Sequence, residues 1–235
     1  DNTNDLVDYV IVADGIFSST KTFFEKKKNK PKYKKALAVR VTLKSKSNLN
    51  INEQNISLML GSKTHIVFYP INKKKELNMV CIIRSKKYDP DNIKFLIKNT
   101  VLKQNPNFKI IFDNEIKSWP LYFTPKILPS SNKKVFYIGD AFNGFLPTLA
   151  QGAGQSIESA YEIFKLLEGE KLESNNAYFE ERSRRAKIIR RRSNLNFFAF
   201  HFSSAIMQKI RNTFLKFLVK RKTFIEGYLG KVYKN

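Results

Sequence analysis

Residues 135–160 read VFYIGDAFNGFLPTLAQGAGQSIESA: an apolar strand, an acid where the strand runs out, then a glycine-rich approach to a helix. Asp140 can accept hydrogen bonds from sugar-type hydroxyls there, because ligands of α/β proteins sit outside the carboxyl ends of strands. Gly139, Gly144, Gly152 and Gly154 are four of the chain's nine glycines. At positions 152 and 154 the missing Cβ lets a flat ligand come close to the backbone. Amides at such a helix start favour an electron-rich or anionic group, and Pro147 stiffens the approach. Each feature alone reads equally as a turn with a helix cap; their order along one stretch favours a ligand site. A second pair, Asp14-Gly15, closes the apolar run VIVA and by itself reads as a turn. His65, Val67 and Tyr69 in HIVFYPI share one face of a strand, because side chains alternate. His65 and Tyr69 can both bond or deprotonate a phenol. A satisfied, half-buried strand pair is the competing reading.

The elements that must position these residues form an α/β (α+β) pattern. Residues 9–13 read as a buried strand ending in an Asp-Gly turn. A lysine-rich loop, KKKNKPKYKK, covers residues 26–35. The β-rich runs ALAVRVTL, HIVFYPI and NMVCIIRS follow, and PDNIKFLIKNTV has helical spacing with Pro90 and Asp91 at its start. The strand of KKVFYIGD then leads to a helix closed by Gly169, with Ile157, Ala160, Ile163, Phe164 and Leu167 at helical spacing. Two basic, helical segments complete the chain. The strand-then-glycine pattern thus flanks a sheet block. The expected organisation is a nucleotide-binding domain in two pieces, 1–24 and 119–170, a sheet domain at 25–118 and a helical region at 171–235. Trp119-Pro120 marks a junction.

Forty-three Lys and Arg against 20 Asp and Glu give a formal charge of +23. This invites a nucleic-acid or anionic-membrane reading. The lysines scatter along the whole chain beside abundant Asn, Ile, Phe and Tyr, so compositional drift plus solubility is the preferred account. The run RSRRAKIIRRR reads as a solvated helix face interrupted by Ile188 and Ile189 as core contacts, rather than a nucleic-acid stripe. The helix AIMQKIRNTFLKFLVKRK carries Met207, Ile210, Phe214 and Phe217 or Leu218 along one side. That side fits a membrane surface or, preferably, docking onto the rest of the protein. His201, in an aromatic-rich stretch, reads as structural. The single Cys81, in an apolar run, excludes a disulfide framework or a cysteine metal site within the chain. With no secretory pattern and no long apolar run, a cytoplasmic protein without a metal centre is expected.

GDAFNGFLPTLAQGAGQSIESA resembles the second flavin-binding signature of the FAD-dependent aromatic hydroxylases, the single-component flavoprotein monooxygenases. VIVADGIFSSTK is similar to their Asp-Gly motif, associated with FAD and the nicotinamide cofactor. GSKTHIVFYPINKKKELNMVCII, KSWPLYFTPKILPSSNKKVFYIGD and the C-terminal helices resemble the salicylate hydroxylase and hydroxynicotinate monooxygenase branch. The resemblance implies part of an FAD/NAD(P)-binding domain with an inserted β-sheet substrate domain and C-terminal helices. It implies that Gly139 and Asp140 serve the ribityl or pyrophosphate region of FAD, and that Pro147, Gly152, Ala153 and Gly154 border the isoalloxazine ring. Asp14 and Gly15 would serve the shared FAD and NAD(P)H motif, and His65 and Tyr69 would line the substrate pocket as catalytic residues. Arg40 is a candidate for holding a substrate carboxylate. The implied activity is NAD(P)H-dependent hydroxylation of an aromatic, phenolic acid by O2 through a flavin C4a-hydroperoxide.

The sequence departs from that pattern at Phe142-Asn143, where Ala-His is usual, at Ser159, where Asp is usual, and at Lys21, where Arg is usual. No Gly-x-Gly-x-x-Gly occurs in the chain. A C-terminal portion that needs a separate N-terminal FAD-binding segment is therefore expected, with weak FAD binding and no turnover alone. A homodimer is left open. Two other classes remain: a flavoprotein reductase or epoxidase on the same scaffold, and a non-catalytic basic binding module.

Overall fold

The computed structural model describes residues 6–26, 30–44, 49, 52, 54–169 and 175–230; Lys27, Lys28 and Asn29 of the lysine-rich loop lie outside that set. In chain order the elements are β1 (Val10–Val12), α1 (Ser19–Glu25), β2 (Lys32–Lys44), β3 (Ser57–Leu60), β4 (Thr64–Ile71), β5 (Glu76–Arg84), α2 (Ile93–Ile97), β6 (Lys117–Phe123) and β7 (Val135–Tyr137). They continue with α3 (Gly139–Asn143), α4 (Gly152–Glu168), α5 (Asn175–Phe200), α6 (Ala205–Leu218) and α7 (Lys222–Ile225).

The chain forms two units, one from Asp1–Lys32 with Tyr122–Asn196 and the other from Tyr33–Leu121 with Phe197–Asn235. These boundaries differ from those expected at 24, 118 and 170. In place of a separate region from 171, helix α5 runs from the first unit into the second. Trp119 and Pro120 lie in β6, just before the crossing at Leu121. β6 is an edge strand, where a proline removes no ladder bond from a central strand.

In the first unit β1 and β7 pair in parallel, Ile11 opposite Phe136. Val12, Val135, Tyr137, Ala141 and Phe142 pack together with Ala186 of α5. Gly139 sits at φ +56°, and a Cβ there would meet Ser156 Oγ at 2.9 Å. Only glycine lets the strand turn so sharply into α3. The buried residues of α4 are Gln155, Ser159 and Ile163, at i, i+4, i+8, whereas Ile157 and Phe164 are 71% and 51% exposed. Of the apolar positions at helical spacing, Ile163 is buried and Leu167 is packed against it, so the spacing marked the helix but not its whole inward face. The reason is Glu158, which accepts from Arg182 Nη1 at 3.2 Å and Arg185 Nε at 2.7 Å. Arg182 Nη2 also donates to the Gln155 carbonyl and side-chain oxygens at 3.2 and 2.7 Å. Burial tends to raise the Glu158 carboxyl, but the two guanidiniums outweigh it and hold the group below its ordinary value. The expected solvated face of RSRRAKIIRRR is corrected accordingly: Arg182 and Arg185 clamp α5 to α4, Ile189 is buried, and Ile188 is exposed.

In the second unit five strands form one sheet in the order β3-β4-β5-β2-β6. β2 with β5 and β4 with β5 pair antiparallel, Val39 opposite Cys81 and Ile66 opposite Cys81. One face carries Leu37, Val39, Val41, Ile66, Phe68 and Met79, packed on Ile93, Ile97, Val101 and Phe108. Each such side chain contributes about 1.5–3 kcal/mol on burial. Cys81 lies in this core; burial pushes its thiol up to about 12 and Thr64 opposes the shift only in part. The helix expected over 90–101 starts later than Pro90 and Asp91, which lie in a turn: α2 begins after Asn92 and runs on into a wider turn over Lys98–Leu102. In α6 the buried residue is Arg211, whose guanidinium donates to the Ala199 and Phe200 carbonyls at the end of α5, both at 3.3 Å. The expectation that the apolar side of this helix docks onto the protein is therefore corrected: Met207, Ile210, Phe214 and Phe217 are exposed, because unsatisfied carbonyls at a helix C-terminus attract a cation.

Candidate functional site

Asp14 and Asp140, 126 positions apart in sequence, belong to one unit because their strands are neighbours in the β1–β7 pair. The turn after β1 places Gly15 at φ +86°, and Ser18 then caps α1 by accepting from the Lys21 amide at 2.9 Å. Asp14 Oδ2 accepts from the Thr20 amide at 3.2 Å. Desolvation works to raise Asp14, but hydrogen bonds from Ser18 and Thr20 outweigh it and keep the carboxyl below its ordinary value.

Lys21 joins the two motifs directly. Its ammonium donates to the Ala141 carbonyl at 2.8 Å and to the Phe142 carbonyl at 3.4 Å, and lies 4.9 Å from the centre of the Tyr137 ring. Burial lowers its pKa to about 8, with Glu25 opposing that shift. Tyr137 in turn donates to Glu25 Oε1 at 2.5 Å. Burial, and then the Glu25 carboxylate, push the phenol well above its ordinary value.

These contacts wall a cavity of about 350 Å³, lined among others by Ile16, Lys21, Thr22, Thr124, Leu128 and Asp140. Asp140 as a residue is exposed, yet its carboxyl lies against the cavity wall, where desolvation holds it above the ordinary carboxylate range. A carboxyl placed there without a hydrogen-bond donor among the described residues gains by accepting one from a ligand.

The glycine-rich approach is left open. A Cβ built on Gly15, Gly152 or Gly154 would meet nothing within 4 Å. Gln151 makes no side-chain capping bond at the N-terminus of α4, whose first amides have no partner within the helix. Gly152 is half-buried, Pro147, Ala153 and Gly154 are exposed, and Pro147 starts a short turn over Pro147–Leu149. Asn143 is fully buried and neither its nitrogen nor its oxygen has a hydrogen-bond partner among the described residues.

His65 and Tyr69 belong to the second unit, on the sheet face opposite the α2 core. His65 is 2% exposed, and its Nδ1 lies 3.1 Å from His201 Nε2, while His201 Nδ1 lies 2.6 Å from the Phe197 carbonyl. The short contact to a carbonyl makes His201 Nδ1 a donor, so His201 Nε2 accepts from His65. Burial, then the neighbouring His201, lower His65 to about 3. Sequence reading identified both histidines but not their pairing, which no spacing rule carries across 136 positions. Tyr69 is half-buried opposite Asn78. The Asn78 oxygen accepts from Arg40 Nε at 2.6 Å, and its buried nitrogen has no partner among the described residues.

Two turns tied together by a lysine, a cavity at their junction and a glycine-rich helix start make up the candidate site, and solved structures of FAD-dependent hydroxylases share the fold. Salicylate hydroxylase in a substrate complex aligns over 96% of this chain and 63% of its own, at TM-score 0.71 and 18% identity. HpxO of Klebsiella pneumoniae, complexed with FAD and uric acid, aligns over 96% and 60%, at 0.73 and 14%. The tetracycline destructase Tet(51) aligns over 98% and 63%, at 0.63 and 16%. The chain thus spans about three fifths of the length of these structures. No curated protein matches its sequence significantly. The sequence pattern of the squalene epoxidase family matches residues 7–230, and the chain belongs to that family of FAD-dependent monooxygenases.

Proposed function

We propose that this chain supplies the ribityl- and ring-facing side of an FAD site in an NAD(P)H-using monooxygenase that transfers one oxygen atom of O2 to an electron-rich carbon–carbon π system. The observation that carries the proposal is the bond from Lys21 to the Ala141 carbonyl, which fixes the Asp14-Gly15 turn against Asp140 over one cavity. The residues fit the cofactor. Asp140 offers an acceptor for ribityl hydroxyls, the open α4 amides suit an electron-rich ring edge, and Gly152 and Gly154 leave room for a flat group. Asp14 and Gly15 serve the same cofactor and its nicotinamide reductant. FAD, reduced by NAD(P)H, supplies the activation of O2. A Gly-x-Gly-x-x-Gly segment, which this sequence does not contain, completes the site in the proposal. The exposed Ile11 and the two-stranded parallel β1–β7 sheet support that part, because parallel sheets are ordinarily covered on both faces and paired further.

Two substrate classes fit. An apolar alkene is favoured by the family match and by the state of His65, whose buried ring is already engaged with His201. Epoxidation of an alkene needs no phenol to be deprotonated. A phenolic acid is favoured by Arg40, exposed on the sheet face beside Tyr69 and Asn78, where a guanidinium suits a carboxylate. In that reading Tyr69 is the catalytic contact and His65 positions the strand.

The test is NADH and NADPH oxidation by the chain co-expressed with a Gly-x-Gly-x-x-Gly segment and loaded with flavin, against isoprenoid alkenes and hydroxybenzoates, with products identified by mass. One added oxygen coupled to nicotinamide oxidation is expected with one class. Flavin-loaded protein that oxidises neither nicotinamide cofactor, or never oxygenates either class, contradicts the proposal.

A further inference from the structure

The Lys21 side chain has a chemistry that its structural tie does not use. Ser18 accepts from the Lys21 amide at 2.9 Å and so fixes where the side chain starts. From there Nζ reaches the Ala141 and Phe142 carbonyls, at 2.8 and 3.4 Å. Both partners are neutral carbonyls, so they hold an amine as well as an ammonium. An ammonium has three donors. The two carbonyls take two, and when the third proton leaves, a lone pair stands in its place.

The nitrogen also stands at a cavity. Lys21 lines the space of about 350 Å³ together with the apolar Ile16, Phe17 and Leu128. The titratable and charged groups around it are Glu25 on its own helix, Tyr137 of β7, and Asp140 of α3 and Lys30, which line the same cavity. Glu25 is already engaged, accepting from Tyr137 at 2.5 Å and from the Ser131 amide at 3.1 Å. Burial outweighs the Glu25 charge and lowers the ammonium to about 8. At pH 7.5 about a quarter of Lys21 is then neutral amine, against about one part in a thousand for an ordinary lysine.

We propose that Lys21 is a carbonyl-reactive lysine, whose amine captures a small, neutral, largely apolar aldehyde in this cavity as an iminium. Charge and lining select that class. With Lys21 as the amine, Glu25 and Asp140 face Lys30 alone, which disfavours an electrophile carrying a phosphate or carboxylate. Ile16, Phe17 and Leu128 suit an apolar body. The amine lone pair adds to the carbonyl carbon while the C=O π pair moves to oxygen. That oxygen takes a proton and the nitrogen gives one up, which leaves the carbinolamine. Asp140, held above the ordinary carboxylate range, protonates the hydroxyl. The C–O bond breaks, water leaves, and the nitrogen lone pair closes the C=N bond. The iminium keeps one N–H for the Ala141 carbonyl, and Asp140 remains as the carboxylate beside it. The reaction consumes no oxidant or reductant.

The test is reductive trapping on the whole folded chain, with less than one equivalent of benzaldehyde and with cyanoborohydride at pH 7.5, the sites read by peptide mass. Lys21 should carry at least about a hundredfold more label than an average surface lysine, from its larger neutral fraction. That excess should hold up to about pH 8 and shrink above it, as the surface lysines also lose protons. Asp140→Asn should slow labelling of Lys21 about tenfold or more and leave the surface lysines unchanged. Pyridoxal phosphate, an aldehyde with a phosphate, should not prefer Lys21. Four results overturn the proposal: label spread evenly over the lysines, an excess at Lys21 that persists in urea-unfolded chain, a rate that Asp140→Asn leaves unchanged, or a preference of pyridoxal phosphate for Lys21. The trapping needs no flavin, so its outcome is separate from that of the flavin reading.

Discussion

The cavity in the first unit and the paired histidines in the second are both built from polar groups brought together across more than 100 positions of sequence. They end differently. Around Lys21 the interior is satisfied but the outer groups are open among the described residues: the Asp140 carboxyl takes no hydrogen bond, Gln151 does not cap α4, and the space over Gly152 and Gly154 is empty. Around His65 the chain is closed: His65 donates to His201, His201 to the Phe197 carbonyl, and Phe200 packs on the His65 ring at 5.3 Å. An open arrangement is one that a ligand completes, whereas a closed one stabilises the fold. The catalytic group expected at His65 thus sits in the part of the molecule with less left to offer.

The largest effect that would break this comparison is acid sensitivity. His65 is held near 3 in the folded chain and returns to about 6.5 on unfolding, so the unfolded state binds the extra proton between these values. Stability contributed by the neutral pair is full above about pH 6.5 and is lost as pH falls toward 3, a change of a few kcal/mol. His65→Phe should flatten that acid limb in urea unfolding from about pH 7 to about pH 4. An unchanged limb would mean the pair is not the closed element described.

Next is Lys21→Met, which leaves two carbonyls without their charged donor and should cost about 2–3 kcal/mol. Flavin affinity should fall with it, and Lys21→Arg should restore most of both. Asp140→Asn sharpens the contrast further. Its carboxyl is desolvated and has no hydrogen-bond partner among the described residues, so removing the charge should raise the melting temperature of the flavin-free chain while weakening FAD about tenfold. A melting temperature that falls instead would make Asp140 a structural group. The smallest effect is expected at Asn143, whose buried amide has no partner among the described residues. Asn143→Leu should gain about 1 kcal/mol in chemical denaturation, because an unsatisfied buried amide is removed.

Local pattern carried much of the backbone geometry around the candidate site. The Asp14-Gly15 and Gly139-Asp140 turns, the open glycines and the alternation in β2, β4 and β5 follow from short-range rules, since strand periodicity and positive φ depend on neighbours alone. The Lys21–Ala141 tie, the His65–His201 pair and the Glu158 clamp depend on contacts across 120, 136 and 24 or more positions, which one sequence does not encode in any spacing. Helical spacing marked both helices without giving the face each turns inward. In α4 and α6 an arginine and its hydrogen-bond partners claimed the inner face, so Ile157, Phe164, Ile210 and Phe214 turned outward. A buried, well-bonded guanidinium outweighed the apolar stripe in setting helix rotation.

The most direct measurement is an FAD titration of this chain, alone and co-expressed with a Gly-x-Gly-x-x-Gly segment, followed by fluorescence quenching and visible absorbance. The account predicts yellow, stoichiometric protein with the segment, weak quenching by the chain alone, and loss of both signals in Lys21→Met. Colourless protein in both preparations would contradict it and leave residues 139–158 as a turn and a helix cap.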